Sequence, residues 1–392
     1  MNCALLTREL LDQIFEAVAQ VDAEASDPSY ERRPRSTLPS LARTSRFFYS
    51  SAIRIIWRSI PSLEPLFLCL PEQALLRQPP PPWSLFFGFF ALTKNLDPAI
   101  FSRLEDLNRL RYHASMVRQF GFRTKQSYPK LRLGFDIASD IYDRLLPLFS
   151  AEQPLFTALT SASLHLSRFS GSGAYARLVL GKDCSLKELY IDCDAKLYDN
   201  DSLWMQWTSI IASANLKNLR CFDTSPFFEG CQEDIRCFPL RSLSNLFKSH
   251  HLTQVDIRSL VFERIDLIQD LALQPHLRSL VINLGGFVQM PPFANNSKEI
   301  YFPSLHGITI ILAKLDLACS FLQQSQPPNL SYLTIQRQGK DNQWVMVDLL
   351  EAAQTSLPLP IFRQLVISNG QECEDKGDNQ GVKASTLISS AA

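Results

Sequence analysis

The chain is poor in glycine, with 14 in 392 residues, and it carries no G-x-G-x-x-G, P-loop, G-x-S-x-G or H-E-x-x-H motif. Loops that cradle phosphate through backbone amides depend on glycine, so this composition speaks against a nucleotide-using enzyme. An excess of either charge is missing as well, since 39 Lys and Arg balance 39 Asp and Glu. No overall field draws in nucleic acid or an anionic membrane, and any partner has to be chosen by a local surface. Long hydrophobic runs are absent: the longest block, Trp83 to Leu92, is roughly half the ~20 residues that cross a bilayer, and it follows four prolines. The opening MNCALLTRELLDQIFEAV breaks each apolar run with charge, so no secretory signal is read there, and a cytoplasmic or nuclear location is expected. The nine cysteines form neither a disulfide framework nor a zinc ribbon. In a reducing compartment they are expected to be small buried apolar residues, and the sequons at Asn200, Asn295 and Asn329 carry no meaning.

What is present is an ordinary folding composition, 46% hydrophobic and 20% charged. The length suits two or three domains with a sizeable core. From Leu6 to Val21 the apolar positions Leu6, Leu10, Leu11, Ile14, Phe15 and Val18 recur at three, four and seven, one broad face of an amphipathic helix with Thr7 as its N-cap. A polar loop with two prolines covers 22–37. Leu38, Leu41, Ala42, Ser45 and Phe48, then Ala52, Ile53, Ile56 and Trp57, predict two further helices over about 39–48 and 50–58. Three helices in so short a stretch cannot bury that apolar surface among themselves, so a partner is implied. A stiff PPPP spacer at 79–82 and an arginine-bearing helix around Leu104 to Val117 fill a helical connector over 63–125.

Beyond about residue 126 the text repeats. Seven segments fit apolar-x-x-apolar-x-apolar: Leu186 Leu189 Ile191, Leu216 Leu219 Cys221, Leu252 Val255 Ile257, Leu277 Leu280 Ile282, Leu305 Ile308 Ile310, Leu330 Leu333 Ile335, and Phe362 Leu365 Ile367. Partial copies occur at Leu131 Leu133 and Leu164 Leu166. Alternation inside each segment is a short strand with one buried face. Helical stretches such as 204–214, 241–249, 264–273, 315–324 and 345–355 lie between them. The predicted fold class is therefore α/β: a three-helix unit followed by an irregular leucine-rich-repeat-like solenoid of parallel strands and helices over 126–368, with a disordered tail over 369–392. A doubly wound α/β domain stands second, because no strand is followed by a glycine fingerprint.

Chemistry is harder to find. His250 with His251, Cys231 with Cys237, and Asp192 with Cys193 or Asp194 are the best metal candidates, and none has ligand spacing. Ser170 to Ser172 read as a flexible turn, and Glu229, Glu233 and Asp234 as an exposed acidic loop beside Phe227 and Phe228. Neither a catalytic residue, a metal nor a cofactor is assigned. On the repeats, polar residues flanking the buried positions include Lys187, Glu188, Thr253, Gln254, Arg278 and Ser279. Tyr190, Asp256, Thr309 and Thr334 sit between apolar positions and Gln336 just after one, where a strand side chain points away from the core, and these five are the candidate substrate contacts.

Leu6-Thr7-Arg8-Glu9-Leu10-Leu11-Asp12-Gln13-Ile14-Phe15, then Leu38-Pro39-Ser40-Leu41-Ala42-Arg43-Thr44-Ser45-Arg46-Phe47, and finally Ala52 and Ile56-Trp57, resembles the F-box. The chain departs from that pattern with Thr7 where proline is usual and with the insert at 22–37. The resemblance covers residues 1–62 and implies docking onto the Skp-family adaptor of a cullin-RING ubiquitin ligase. It carries adaptor contact to Leu6, Leu10, Leu11, Ile14, Phe15, Leu38, Leu41 and Trp57, about half of them facing the adaptor and the rest packing internally. An F-box ahead of leucine-rich-like repeats is a recurring order in that family, with the repeats holding a protein substrate. The implied role is that of a non-catalytic subunit which raises the effective concentration of substrate near a ubiquitin-charged enzyme. Two other roles remain open: an adaptor-bound scaffold with no degraded substrate, and an α/β enzyme of hydrolase or transferase type with an unrecognised site.

Overall fold

In the computed structural model of the chain the described residues are 7–24, 37–70, 75–77, 94–96, 104–121, 142, 145–149, 154–166, 173–181, 186–193, 210–211, 214, 216, 219–223, 244–248, 251–261, 265–285, 287, 289–290, 292–293, 300–312, 314–337, 355, 361 and 363–369. They form an α/β protein in two compact units, Met1–Ser163 with Ala174–Cys184 and Leu164–Gly173 with Ser185–Ala392. Among them no helix is long and apolar enough to cross a membrane.

The first unit opens with α1 (Arg8–Glu24), α2 (Thr37–Thr44) and α3 (Arg46–Arg58). The break between the second and third helices falls at Ser45, earlier than the apolar spacing predicts. Ser45 is extended, and its hydroxyl accepts from the Phe47 amide at 3.1 Å, so a capping side chain decides the boundary. Leu11, Phe15, Leu38 and Ala52 make the core of these helices, with Val18, Leu41, Ala42, Phe48, Ile55 and Ile56 packed around it. Phe48 meets Phe15 edge-on at 5.7 Å between ring centres. Arg54 to Asp12 (3.3 Å) and Arg58 to Glu16 (2.8 Å) tie α3 to α1 on the outside. These are exposed pairs and add little to stability.

After α3 come β1 (Ser59–Ile60), α4 (Glu64–Phe67), β2 (Leu75–Arg77), β3 (Lys94–Leu96), α5 (Leu104–Ala114) and β4 (Gln119–Phe120), with β5 (Ser161–Leu166) and α6 (Gly173–Val179) further on. The stretch expected as a helical connector thus contains strands. β2 and β3 pair antiparallel, and β1 pairs parallel with β4, which pairs parallel with β5. Two-residue strands leave no readable alternation, which is why they escape a sequence reading. Beside them Gly121 adopts φ 76°, and a Cβ there would lie 1.8 Å from the Ser163 carbonyl oxygen. Only glycine fits that turn.

The second unit carries β6 (Glu188–Cys193), β7 (Cys221–Asp223), α7 (Ser244–Phe247), β8 (Gln254–Val261), α8 (Ile265–Ala272), β9 (Ser279–Asn283), β10 (Gly307–Leu312), α9 (Leu315–Ser325), β11 (Tyr332–Arg337) and β12 (Gln364–Asn369). Taken unit by unit the strands follow chain order, β1, β4 and β5 in the first and β6 to β12 in the second, and every described pairing among them is parallel. In β6 to β12 one transverse row runs Leu189, Phe222, Val255, Leu280, Ile308, Leu333 and Leu365, all buried. Each strand sets the same pleat against the next, so a single apolar layer runs the width of the unit. Phe247 of α7 packs on Phe222 at 6.1 Å, and Phe321 of α9 packs on Phe302 at 5.8 Å, closing that layer from the helix side.

The register corrects one repeat. Phe222, not Leu219, aligns with Leu189 and Val255, and Cys221 falls on the opposite face between Glu188 and Gln254. Leu216, Leu219 and Phe222 are spaced by three, and the frame that starts at Leu219 ends on the polar Thr224. Counting Cys221 as the third apolar position selects the wrong frame. In the correct frame the first positions are Leu186, Leu219 and Leu252, and the steps become regular (219−186=33, 252−219=33). The helices expected over 264–273 and 315–324 are α8 and α9, α7 takes the middle of 241–249, and only Thr355 of the last stretch and Ile210, Ile211 and Ala214 of the first are described. Leu131, Leu133 and residues 370–392 lie outside the described residues.

Candidate functional site

Two surfaces follow from this construction, one in each unit. In the first, the helix pattern divides the candidate adaptor contacts by burial. Leu11 (5% exposed), Phe15 (3%) and Leu38 (7%) point into the three-helix core, and Leu41 packs half-buried against it. Leu10 is half-buried, and Ile14 is exposed at 37%. Leu6 lies outside the described residues. Trp57 is half-buried because its indole stacks on the His113 ring of α5 at 4.5 Å. Its apolar face is therefore partly spent inside its own unit.

The exposed apolar surface of these helices includes residues that the spacing did not single out. Phe47 and Tyr49 are 42% and 44% exposed at the start of α3, although Phe47 also touches Phe48 at 5.9 Å. Their signal was available: Phe47-Phe48-Tyr49 is an aromatic triplet, and a helix can turn only part of such a run inward. His113 was also missed. It is 6% exposed with Nδ1 unpartnered, and burial, followed by the charge of Arg109, pushes its pKa below the ordinary value.

In the second unit the pairing brings four of the five substrate candidates into one line. Tyr190, Asp223, Asp256, Val281, Thr309, Thr334 and Val366 are successive partners across β6 to β12. Gln336 belongs to the next line, between Ile311 and Ser368. Tyr190, Thr309, Thr334 and Gln336 are each partly exposed, as are Val281, Ile311 and Val366 beside them. Strand period alone predicted this, since residues two apart share a face.

Asp256 behaves differently from its neighbours, being only 5% exposed. Its carboxylate accepts from the Arg258 Nε at 3.0 and 3.1 Å, from the terminal guanidinium nitrogen, and from the Arg258 backbone amide at 3.2 Å. Arg258 lies two positions on in β8 and so shares the face of Asp256, next to the place where the β8–β9 register shifts between Ile257 and Val261. Asn283, buried at 1%, supports the same place by donating to the Arg258 carbonyl at 3.1 Å and accepting from the Gly285 amide at 2.9 Å. Asp256 thus orients Arg258, whose side chain is 39% exposed and presents the group that a ligand could meet.

Among the described residues no group of three or more His, Cys, Asp or Glu is placed to hold a metal ion. Cys69, Cys221 and Cys319 form no disulfide among the described residues, and burial pushes the Cys69 pKa up, away from a reactive thiolate. His250, Cys231, Cys237, Asp194, Ser170 to Ser172 and the cluster Glu229, Glu233, Asp234 lie outside the described residues, as do the side chains of Asp192 and Cys193. No protein-family model matches the chain, and no curated protein matches it either.

Proposed function

We propose that the protein is the substrate-recognition subunit of a Skp–cullin–F-box ubiquitin ligase, with residues 1–62 as the F-box and the repeats of the second unit as an irregular leucine-rich solenoid that holds a protein substrate. The observation that carries this reading is a three-helix unit with a core of its own, built on the F-box sequence blocks, in a chain whose parallel strands then follow one another in sequence order. A single-core doubly wound sheet reorders its strands about a switch point, whereas stacked repeats keep chain order. Ile14, Phe47 and Tyr49 supply apolar surface that a partner groove can cover. The partly exposed line Tyr190, Thr309 and Thr334 supplies hydroxyls beside Val281 and Val366 on the sheet face, suited to a polypeptide surface.

The test is co-expression of the full chain with a Skp-family adaptor and a cullin. Stoichiometric co-elution of all three supports the reading, and an adaptor that elutes apart from the chain refutes it. Proteins retained by the assembled complex are then assayed for ubiquitin transfer. A retained protein that is never modified identifies an adaptor-bound scaffold instead of a degradation subunit.

A further inference from the structure

At the N-terminal ends of the strands in the second unit, the residue just ahead of each strand is joined to the next by the backbone. Arg220 N–H donates to the Lys187 carbonyl (2.7 Å), Thr253 to Arg220 (2.8 Å), Arg278 to Thr253 (2.8 Å), His306 to Arg278 (2.9 Å), Ser331 to His306 (2.8 Å) and Arg363 to Ser331 (2.9 Å). These residues therefore form one more transverse line, along the leading edge of β6 to β12. Lys187, Arg220, Arg278, His306 and Arg363 on it are all exposed. Where the line is not basic it carries a hydroxyl: Thr253, which donates back to the Arg220 carbonyl at 3.2 Å, and Ser331.

Among the described residues such an edge is electrostatically one-sided. None of its four permanent cations, Lys187, Arg220, Arg278 and Arg363, forms an ion pair among the described residues. The adjoining line, Glu188, Cys221, Gln254, Ser279, Gly307, Tyr332 and Gln364, sets one carboxylate against them. Lys187 and Arg220 occupy neighbouring strands, about 4.8 Å apart at the backbone, where like charges repel. In a chain with 39 charges of each sign, such a row is a local feature, not the overflow of a basic protein. Repulsion along it is relieved by an anionic partner.

We infer that this edge docks an acidic, carboxylate-rich segment of a polypeptide substrate, laid across the strands from Lys187 towards Arg363. The inference rests on the reading of the repeats as a substrate-holding surface and names the chemistry of what they hold. Six strand steps of about 4.8 Å span about 29 Å, the length of roughly nine extended residues. Tyr332, 45% exposed, adjoins the line, and its hydroxyl suits backbone amides. A single-stranded nucleic acid needs a series of aromatic platforms for its bases, and the line itself carries none. A lipid surface needs exposed apolar residues for insertion, and the line has none of those either.

The experiment uses the full chain and a fluorescein-labelled peptide of about ten residues alternating Glu and Ser, matched in length to the span. A Gln-Ser peptide, an oligothymidylate of similar length and phosphatidylserine vesicles serve as comparisons. The expected result is binding of the acidic peptide, weakened more than about tenfold by combining Lys187→Glu, Arg220→Glu, Arg278→Glu and Arg363→Glu, and weakened as salt rises. The Gln-Ser peptide shows no such dependence. Because the four side chains are exposed, circular dichroism of the variant should match the parent, and the neutral set Lys187→Gln, Arg220→Gln, Arg278→Gln and Arg363→Gln should lose binding by a smaller factor. No binding of the acidic peptide, binding unchanged by both variants, or tighter capture of the oligonucleotide or the vesicles overturns the inference. The assay needs no adaptor, so failure of adaptor docking leaves its result readable, and the reverse also holds.

Discussion

The two neighbouring residues Ile14 and Phe15 separate folding from docking on the first unit. Phe15 is 3% exposed and meets Phe48 edge-on at 5.7 Å, so Phe15→Ala removes a core ring and leaves a cavity among Leu11, Leu38 and Ala52. Truncations of that kind cost about 3–5 kcal/mol. At about 2–4 °C per kcal/mol for a unit of this size, the melting temperature should fall by roughly 6–20 °C. Ile14, one position on, is 37% exposed, and Ile14→Asp should change stability by less than about 1 kcal/mol. If α1 presents Ile14 to the adaptor, that variant loses an interface anchor and gains a buried charge in the complex, and affinity should drop at least about 30-fold, equivalent to about 2 kcal/mol. Calorimetric melting of the free chain and titration calorimetry with a purified Skp-family adaptor measure the two effects separately. An Ile14→Asp variant that binds the adaptor as tightly as the parent would refute the docking face, and a Phe15→Ala variant that melts with the parent would refute the core assignment.

Two further outcomes follow from the first unit. Gly121→Ala places a methyl 1.8 Å from the Ser163 carbonyl oxygen at φ 76°, so denaturant unfolding should show a loss of more than about 2 kcal/mol, while an alanine at the exposed Ser115 leaves the midpoint nearly unchanged. His113 should make the unit acid-sensitive: burial, with Arg109 pushing the same way, lowers its pKa from 6.5, so the folded form favours the neutral ring stacked on Trp57. A depressed histidine pKa means that stability is fully present above the unfolded value and is lost as pH falls towards the folded one. Denaturation midpoints measured from pH 7.5 down to about pH 5 should fall more steeply for the parent than for His113→Phe, and parallel curves would contradict the assignment.

Much of the architecture was legible in the residues because burial imposes a period on them. The 3.6 spacing of Leu11, Phe15 and Val18 specifies a helix with one inner face, and the two-residue spacing of Leu280 with Ile282 or Ile308 with Ile310 specifies strands with one buried side. That α/β composition, the strand positions from β8 to β12, and the shared face of Tyr190, Thr309 and Thr334 follow from local pattern alone. Reading stops where the apolar template favours a frame that the strand pairing rejects. The template picks Leu216, Leu219 and Cys221, and only hydrogen bonding to β6 and β8 selects Phe222, because register is a property of neighbours. Ser45 rather than hydrophobic spacing sets the start of α3, and β1 and β4 are too short to show a period at all.

The tertiary structure decided which apolar residues of the helices remain available. Leu11, Phe15 and Ile14 belong to one stripe in the sequence, yet two are consumed by the core and one is not. It also decided the fate of Asp256, which alternation places outward but which is buried against the Arg258 guanidinium. The basic edge was legible only in part: Lys187, Thr253 and Arg278 each follow the first apolar residue of a repeat, but the frame starting at Leu216 puts Lys217 in that place, and only the pairing brings Arg220 into line with them. Periodicity along a chain reports what each residue does against its own element, through solvent and core. Which residues from separate elements stand side by side is fixed by strand pairing, a cooperative choice made only when the sheet assembles.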